Sequence, residues 1–515
     1  MFGSKKFRLI QIAVLSMLIS SVHASDKNND INKEVKTGEN IVSFGAVGDG
    51  KTLNTKSIQA AIDQVNQNGG GRVIVPAGNF LSGSLMIKSG VELYLEKDAV
   101  ILGSTNPFDY LSGKDLQHFI NADNAMNIGI TGLGTIDGRG RLLALNIDSL
   151  FFAGKWEEPN YNYRRHRPER RPKLVNFSQC KNIVLDGFTA RRSANWVLNF
   201  DRCVNMTINN VTVDSDDYWN NDGMDIGDCK NVRITGCYVN SADDGICLKS
   251  HHADACNDSI YIANCTVRSS ASAIKFGTAS HGGFKNVKIE NIYIFDTFRS
   301  AIALESVDGG ILENIEINDI TANNTGNAIF IKLGHRNVDG KVGTLKNVKI
   351  SNVVVQVPFG APDLKYEIRG PELAFFHNTF PASITGLPDH DVENVSLENI
   401  RIIYPGRANN GYAHLPVHRL KDVPENESQY PEFSMFGELP SWGFYVRHVK
   451  GLSMKNISLK VEERDFRPAF VFDDVSQLEM NRIQIEDTDN KKQVVFRNVS
   501  GYKTDFPEKA IQEVK

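Results

Sequence analysis

The stretch that decides the fold runs from Asn205-Met206-Thr207-Ile208 to Asn231-Val232-Arg233-Ile234. Each copy opens on an Asn, alternates apolar with polar residues, turns, and closes on another apolar pair. Alternation with period two is the signature of a strand, not a helix. The phrase is present earlier at Asn127 and Asn182, and later at Asn286, Asn314, Asn347 and Asn394. Copies without the Asn begin at Ser259, Gly451 and Gln477. Starts at 205, 231, 259, 286 and 314 are separated by 26, 28, 27 and 28 residues. A fixed period in this range signals a solenoid. One strand per coil, laid on the strand of the previous coil about 4.8 Å away, makes a parallel β-helix. The expected fold is all-β, a single-stranded right-handed parallel β-helix. The recurring Asn suits stacked turns, where its side chain bonds backbone groups.

Outward from the repeats, Ser57-Ile58-Gln59-Ala60-Ala61-Ile62-Asp63-Gln64-Val65 has the apolar spacing of a helix. Solenoids need covered ends, and this helix is placed to cap the N-terminal one. Gly69-Gly70-Gly71 stops it. That glycine run is a turn rather than a phosphate loop, because no Lys-Ser or Lys-Thr follows in the required spacing. Three repeat intervals are long, at 127–182, 347–394 and 394–451. Their extra residues are expected to leave the solenoid as loops that shape a binding face. The first carries Trp156, Tyr161, Tyr163, Arg164, Arg165, Arg167, Arg170 and Arg171. The last carries Tyr412, His414, His418, Tyr430, Phe433, Phe436 and Trp442.

Upstream of the solenoid, Lys5, Lys6 and Arg8 precede an apolar run from Leu9 to Val22 and a small-residue site at Val22-His23-Ala24. This predicts a signal peptide over 1–24, a polar leader over 25–39, and a β-helix domain over 40–515. The run is short of the ~20 residues that span a bilayer, so no membrane anchor is expected. The protein is expected to be exported, to periplasm or medium. All seven Cys lie between Cys180 and Cys265, several at equivalent repeat positions, which favours buried stacked thiols over disulfides. Composition bounds the function. With 57 Lys+Arg against 61 Asp+Glu and 41% hydrophobic residues, the chain is neither disordered nor a general nucleic-acid binder. Nothing in it calls for oligomerisation, and a monomer is expected.

A second phrase recurs upstream of the first. It reads Asp222-Gly223-Met224-Asp225-Ile226-Gly227, then Asp244-Gly245-Ile246-Cys247-Leu248-Lys249. Later copies start at Ser272, Ser300 and Asn327. The third and fifth residues face the core, so the fourth and sixth face out. Asp222 and Asp244 thus fall at equivalent positions of neighbouring coils, with Asp243 beside Asp244 and Asp225 pointing outward. Carboxylates this close cannot all ionise freely, and one should hold a proton. A protonated and an ionised carboxyl are the equipment of glycosidic hydrolysis. Acidic clusters also bind Ca²⁺, and Asp also caps tight turns.

The pair Asn221-Asp222-Gly223 and Asp243-Asp244-Gly245, with Phe44-Gly45-Ala46-Val47-Gly48-Asp49-Gly50 at the start, resembles the polygalacturonase family of glycoside hydrolases, family 28. The resemblance runs from about Val42 to about Gly360 and implies a pectin-lyase-like solenoid. It implies that Asp243 is the general acid and that Asp222 and Asp244 hold and deprotonate the attacking water. Inversion at the anomeric carbon, no metal, no cofactor and an acidic polysaccharide substrate also follow from it. Two family motifs are absent. Ser272 stands at the place of a Gly-His-Gly histidine, and Ala303-Leu304-Glu305 replaces the Arg-Ile-Lys that grips a uronate. Lys249, Lys275, Lys332 and His281 are the candidates to take over that binding, with Asp225 beside them. Exo-action or a rhamnogalacturonan-type substrate would fit long loops closing the cleft. A polysaccharide lyase needing a cation, and a non-catalytic carbohydrate-binding solenoid, are the competing functions.

Overall fold

The computed structural model describes residues 38–337, 340–363, 380–408, 415–487 and 491–515. The expected signal segment, nearly all of the leader, and Tyr412 and His414 lie outside the described residues. The remainder is a parallel β-helix in which each coil contributes to three parallel ladders. In the first ladder, Val175–Ser178 pairs with Leu198–Asp201, which pairs with Met224–Gly227 and then Ile246–Ser250. In the second, Lys181–Asp186, Val204–Asn209 and Lys230–Thr235 stack in the same way. The third stacks Thr189–Arg191, Thr212–Ser215 and Tyr238–Ser241. Alternate residues of each strand point inward, as Val287, Ile289, Ile292 and Ile294 do, and are fully buried. Burying such a side chain contributes roughly 1.5–3 kcal/mol, repeated along the whole stack.

The asparagines hold the turns. Asn127, Asn182, Asn205 and Asn231 all take positive φ, between 55° and 59°. Each side-chain amide donates to the carbonyl of the Asn one coil back, at 2.9, 3.0 and 2.8 Å. Where the Asn is missing, at Ser259, the next amide (Asn286) bonds Asp258 Oδ1 at 2.8 Å instead. A second such ladder, Asn352–Asn399–Asn456, was not apparent in the repeat phrase. Cys180, Cys203 and Cys229 stack in one turn, all seven thiols are free, and six of them are buried.

Helix α1 (Thr55–Gln67) buries Ile58, Ala61, Ile62 and Val65 against the opening coils. Its Gln59 side chain pairs both the N–H and the carbonyl of Met86. It covers the N-terminal end as expected. The first insertion is not all loop. It opens with α2 (Gly140–Phe152), whose Leu143, Ala144 and Ile147 are buried at helical spacing. This helix escapes a repeat-based reading because it lies outside the period.

The last insertion covers part of the outer face of the first ladder. Its Leu420, Val423, Phe433, Phe436 and Leu439 form a second apolar core with Ala303, Phe330, Tyr445, Val471 and Val495. Those partners occupy one outward-facing column of the ladder. One direction along the same column brings Lys275, Cys247, Asp225, Asn199 and Asn176. Under the insertion the column is apolar apart from Ser383, and it turns polar at Lys275, which Tyr430 of the same insertion still covers.

Candidate active site

The acidic residues sit in the turn that leads into the first ladder. Backbone bonds there run unbroken from coil to coil. The carbonyls of Trp196, Asp222, Asp244, Ser272 and Ser300 accept from the N–H of Leu174, Val197, Gly223, Gly245 and Ala273. Lys173, Trp196, Asp222, Asp244, Ser272 and Ser300 therefore share one ladder position. The residues before them place Asp243 in line with Ala271 and Arg299.

The glycine after each Asp is required by this stacking. A Cβ at Gly223 would lie 2.4 Å from Val239 Cγ1 and 2.6 Å from the Gly245 carbonyl. One at Gly245 would meet Val267 Cγ1 at 2.5 Å and the Ala273 carbonyl at 2.6 Å. Asn221 fixes the approach to Asp222. Its Oδ1 accepts from the Ser215 hydroxyl at 2.9 Å and the Tyr218 N–H at 3.2 Å. Its Nδ2 donates to the Ser193 and Asn195 carbonyls, each at 3.0 Å. The Asp243 carbonyl accepts from the hydroxyls of Ser241 (2.8 Å) and Ser269 (2.6 Å). Asn220 Nδ2 donates to Asp243 Oδ2 at 3.4 Å, and Arg171 of the first insertion bonds Asn220 Oδ1 at 3.0 Å.

The structure gathers Asp222, Asp225, Asp243, Asp244, Lys249 and Lys275 into one cluster. Lys249 Nζ stands 2.5 Å from Asp222 Oδ2 and 2.6 Å from Asp225 Oδ1. Its ammonium occupies the place where a cation shared by these carboxylates would bind, which leaves the calcium reading without a site there. Burial, opposed by Lys249, pushes the Asp222 and Asp225 carboxyls above their usual range. One ammonium offsets one of the two charges, so this pair retains a proton readily. Asp244 goes the other way. Burial works to raise it, but Lys275, Lys249 and Arg299 together with the Ser272 N–H hold it below the usual value. Asp222 Oδ1 and Asp225 Oδ2 are buried without a hydrogen-bond partner among the described residues, while Asp225 Oδ1 faces Lys249.

The four basic candidates fall in three different settings. Lys275 was expected to point outward and read substrate charge. It does leave the core, but it is buried under the last insertion. It lies 3.2 Å from Asp244 Oδ2 and 3.9 Å from Glu305 Oε2, and donates to the Tyr430 hydroxyl at 3.3 Å. Lys249 is likewise engaged by carboxylates. Lys332 is buried too, but outside the cluster. It donates to the Glu425 carbonyl at 3.0 Å and faces the Phe436 ring, because the roof has already closed over its coil. His281 is exposed in the turn after Ile274–Ser280, its N–H bonded to the Ser250 carbonyl at 3.0 Å. Neither joins the cluster.

Several site residues were missed. Glu305 is fully buried, and burial pushes its carboxyl up to about 8 against the pull of Lys275. Arg299 pairs with Glu432 at 2.7 Å. Aligning Arg299-Ser300-Ala301 under Asp243-Asp244-Gly245 would have found it. Trp196 is findable in the same way, from Asn195-Trp196-Val197 under Asn221-Asp222-Gly223. Tyr430 and Glu432 carry no such signal, since they arrive from a distant insertion. A separate trio, Asp201, Asp228 and His252, brings ligand-type atoms within 4.8 Å of one another. The Asp228 carboxylate there already accepts from the Ser250 hydroxyl and the His251 and His252 N–H groups, as a turn cap.

A β-helix with carboxylates stacked on successive coils, in the turn that leads into its first ladder, has the equipment of a solenoid glycoside hydrolase. The chain belongs to the glycosyl hydrolases family 28, whose model matches residues 66–357. It is 28% identical over 335 residues to a probable polygalacturonase of Vitis vinifera, covering 61% of this chain and 60% of that protein. It is 25% identical over 436 residues to an exo-poly-alpha-D-galacturonosidase of Dickeya chrysanthemi, covering 70% of this chain and 71% of that protein. In fold it matches an exopolygalacturonase from Thermotoga maritima, with TM-score 0.59 and 24% identity over 71% of this chain and 87% of that one. The chain thus spans about three fifths to seven tenths of these curated relatives.

Proposed function

We propose that this protein is an exported hydrolase of pectin-type, galacturonate-containing polysaccharide that acts from a chain end by inverting acid/base chemistry. The observation that carries the reading is the stacking of Asp222 on Asp244 with Asp243 alongside, and with opposite pKa shifts on the stacked pair. Asp244, kept ionised, takes the proton of the attacking water. Asp222, with Oδ1 unbonded, orients that water. Asp243 is less buried than either and protonates the leaving oxygen. Chain-end action is supported by the roof. The last insertion covers the outer face of the first ladder from Lys275 and Ala303 onward, so a polymer does not run through in that direction. The signal-like segment at 1–24 supports export, and the names of the relatives support the substrate class.

The test is product analysis on polygalacturonate and on rhamnogalacturonan, each with and without chelator. The expected result is monomeric uronate released despite chelator, as new reducing ends without the ultraviolet absorbance of an unsaturated product. Absorbance that rises only with calcium would make the protein a lyase. Long oligomers from the first minutes would replace chain-end action by internal cleavage.

A further inference from the structure

Four cations act on the acidic cluster, and three of them are neutralised by it or by its roof. Lys249 is taken by Asp222 and Asp225, Lys275 by Asp244 and Glu305, and Arg299 by Glu432. The fourth, Lys173, makes no ion pair among the described residues. It shares the ladder position of Asp222 and Asp244, two coils from Asp222 on the side away from the roof. Its ammonium lies 4.3 Å from the ring centroid of Trp196, the residue of the intervening coil. Trp196 also meets Lys249 Nζ at 3.9 Å, and the exposed His251 ring stacks beside it at 6.1 Å. Lys173 and Trp196 are both only half-buried.

An ammonium withdrawn from water without a carboxylate is costly, and a ring face offsets part of that cost only. A second ammonium on the same indole adds repulsion. Burial accordingly brings the Lys173 pKa down to about 8 despite the pull of Asp225. An arriving carboxylate would relieve all of these terms together.

We infer that Lys173, against Trp196, is the group that binds a uronate carboxylate of the substrate, on the open flank of the scissile bond. The inference rests on the proposed pectic substrate. It moves the reading of acidic charge to the opposite side of the acid cluster from Lys275 and Glu305. The chain end enters under the roof, and the polymer leaves across Trp196 and Lys173.

The test separates binding from turnover. Binding of a galacturonate oligomer and of its methyl-ester counterpart is measured calorimetrically on Asp243→Asn, with and without Lys173→Met. Loss of one charge-assisted contact should weaken the acid oligomer about tenfold or more and leave the ester within about twofold. Lys173→Arg should restore the acid oligomer. With Asp243 intact, Lys173→Met should raise KM on the acid substrate and change kcat little. Equal losses on acid and ester, or no loss on either, would overturn the inference, as would an Asp243→Asn protein that binds no acid oligomer. Charge-selective loss in a wild-type protein that hydrolyses no pectic substrate would uphold the subsite and sink the proposed function instead.

Discussion

Asp222 and Asp244 occupy one ladder position on consecutive coils, yet each answers to a different lysine. Lys249 bridges Asp222 and Asp225, whereas Lys275 turns to Asp244. Burial carries the Asp222 carboxyl upward against a Lys249 shared with Asp225, whereas Lys275, with Lys249 and Arg299, outweighs burial at Asp244 and holds it down. Environments that separate the pKa values of paired carboxyls are what acid/base hydrolysis needs. In the proposed reaction the two lysines therefore set the charge of the acids, to which they are ion-paired in the cluster.

Asp243→Asn should cut turnover by about 10²–10⁴-fold, the usual contribution of general acid catalysis. The fold should survive, because the carboxyl meets only the Asn220 amide and the Asp244 N–H. Activity and circular dichroism on the same preparation check both halves. A mutant keeping more than about a tenth of wild-type activity would rule Asp243 out as the acid.

Lys275→Met should shift the pH profile. In the proposed reaction Asp244 must be ionised to take a proton from water, and Lys275 is the largest influence holding its pKa down. Without that charge the acid limb of kcat/KM should move to higher pH, by about one unit or more. The sequence-based expectation was that loss of Lys275 would hurt acidic substrates more than neutral ones. With the ammonium buried between Asp244 and Glu305, both should suffer alike. An unmoved limb with selective loss of the acid substrate would restore the earlier reading.

Glu305 makes stability depend on pH. Burial pushes its carboxyl up to about 8 in the folded protein, against an ordinary value of 4.5. The folded state then binds more protons than the unfolded state between those values, so stability falls as pH rises through that window. The slope is at most about 1.4 kcal/mol per unit, since a single carboxyl takes up at most one proton. Glu305→Gln should flatten the fall in melting temperature between those two values. A wild-type melting curve that is already flat there would show that Glu305 stays ionised.

The solenoid was legible because every coil repeats the same physical demand. Each second-ladder turn needs positive φ and a side-chain amide, so Asn127, Asn182, Asn205 and Asn231 mark the coils before any coordinates do. The acid cluster was legible for the same reason, since aligning two glycines that stack without a Cβ aligns Asp222 with Asp244. Loop geometry has no such period. The burial of Lys275 and Lys332, the raised Glu305, and the arrival of Tyr430 and Glu432 all depend on how one insertion folds back. Lys173 lay at an aligned position, but its phrase lacks the glycine that made the later copies recognisable.

The cysteines offer a check on the coil stacking itself. Cys180, Cys203 and Cys229 are buried in one turn, and Cys237 and Cys265 stack in another, so oxidation has no route in. Native protein should react with a thiol reagent at Cys256 alone, the one thiol that is half-buried, and denatured protein at all seven. Reductant should leave the melting temperature unchanged. Fewer thiols in the denatured count would mean disulfides and a different packing of those turns.

The roof can be loosened without touching the acids. Phe433 and Phe436 are buried between the last insertion and the outer face of the first ladder, not inside the coils. Truncating a buried Phe costs about 3–5 kcal/mol. Here that cost falls on the contact between insertion and ladder, because the inward residues of those coils, Leu304 and Ile331, keep their packing. The double variant Phe433→Ala, Phe436→Ala should therefore expose the insertion to protease while the coils melt near the wild-type temperature. If the roof is what confines the substrate to its chain end, products should shift from monomer toward mixed oligomers, and the viscosity of a polymer solution should fall faster per bond cleaved. The variant also tests the cluster, since Glu432 and Tyr430 ride on the same insertion beside Arg299 and Lys275. A lower rate with longer products is the expected combination. Monomer alone, released from a protein whose insertion is demonstrably open to protease, would mean that the polymer is stopped by something other than the roof.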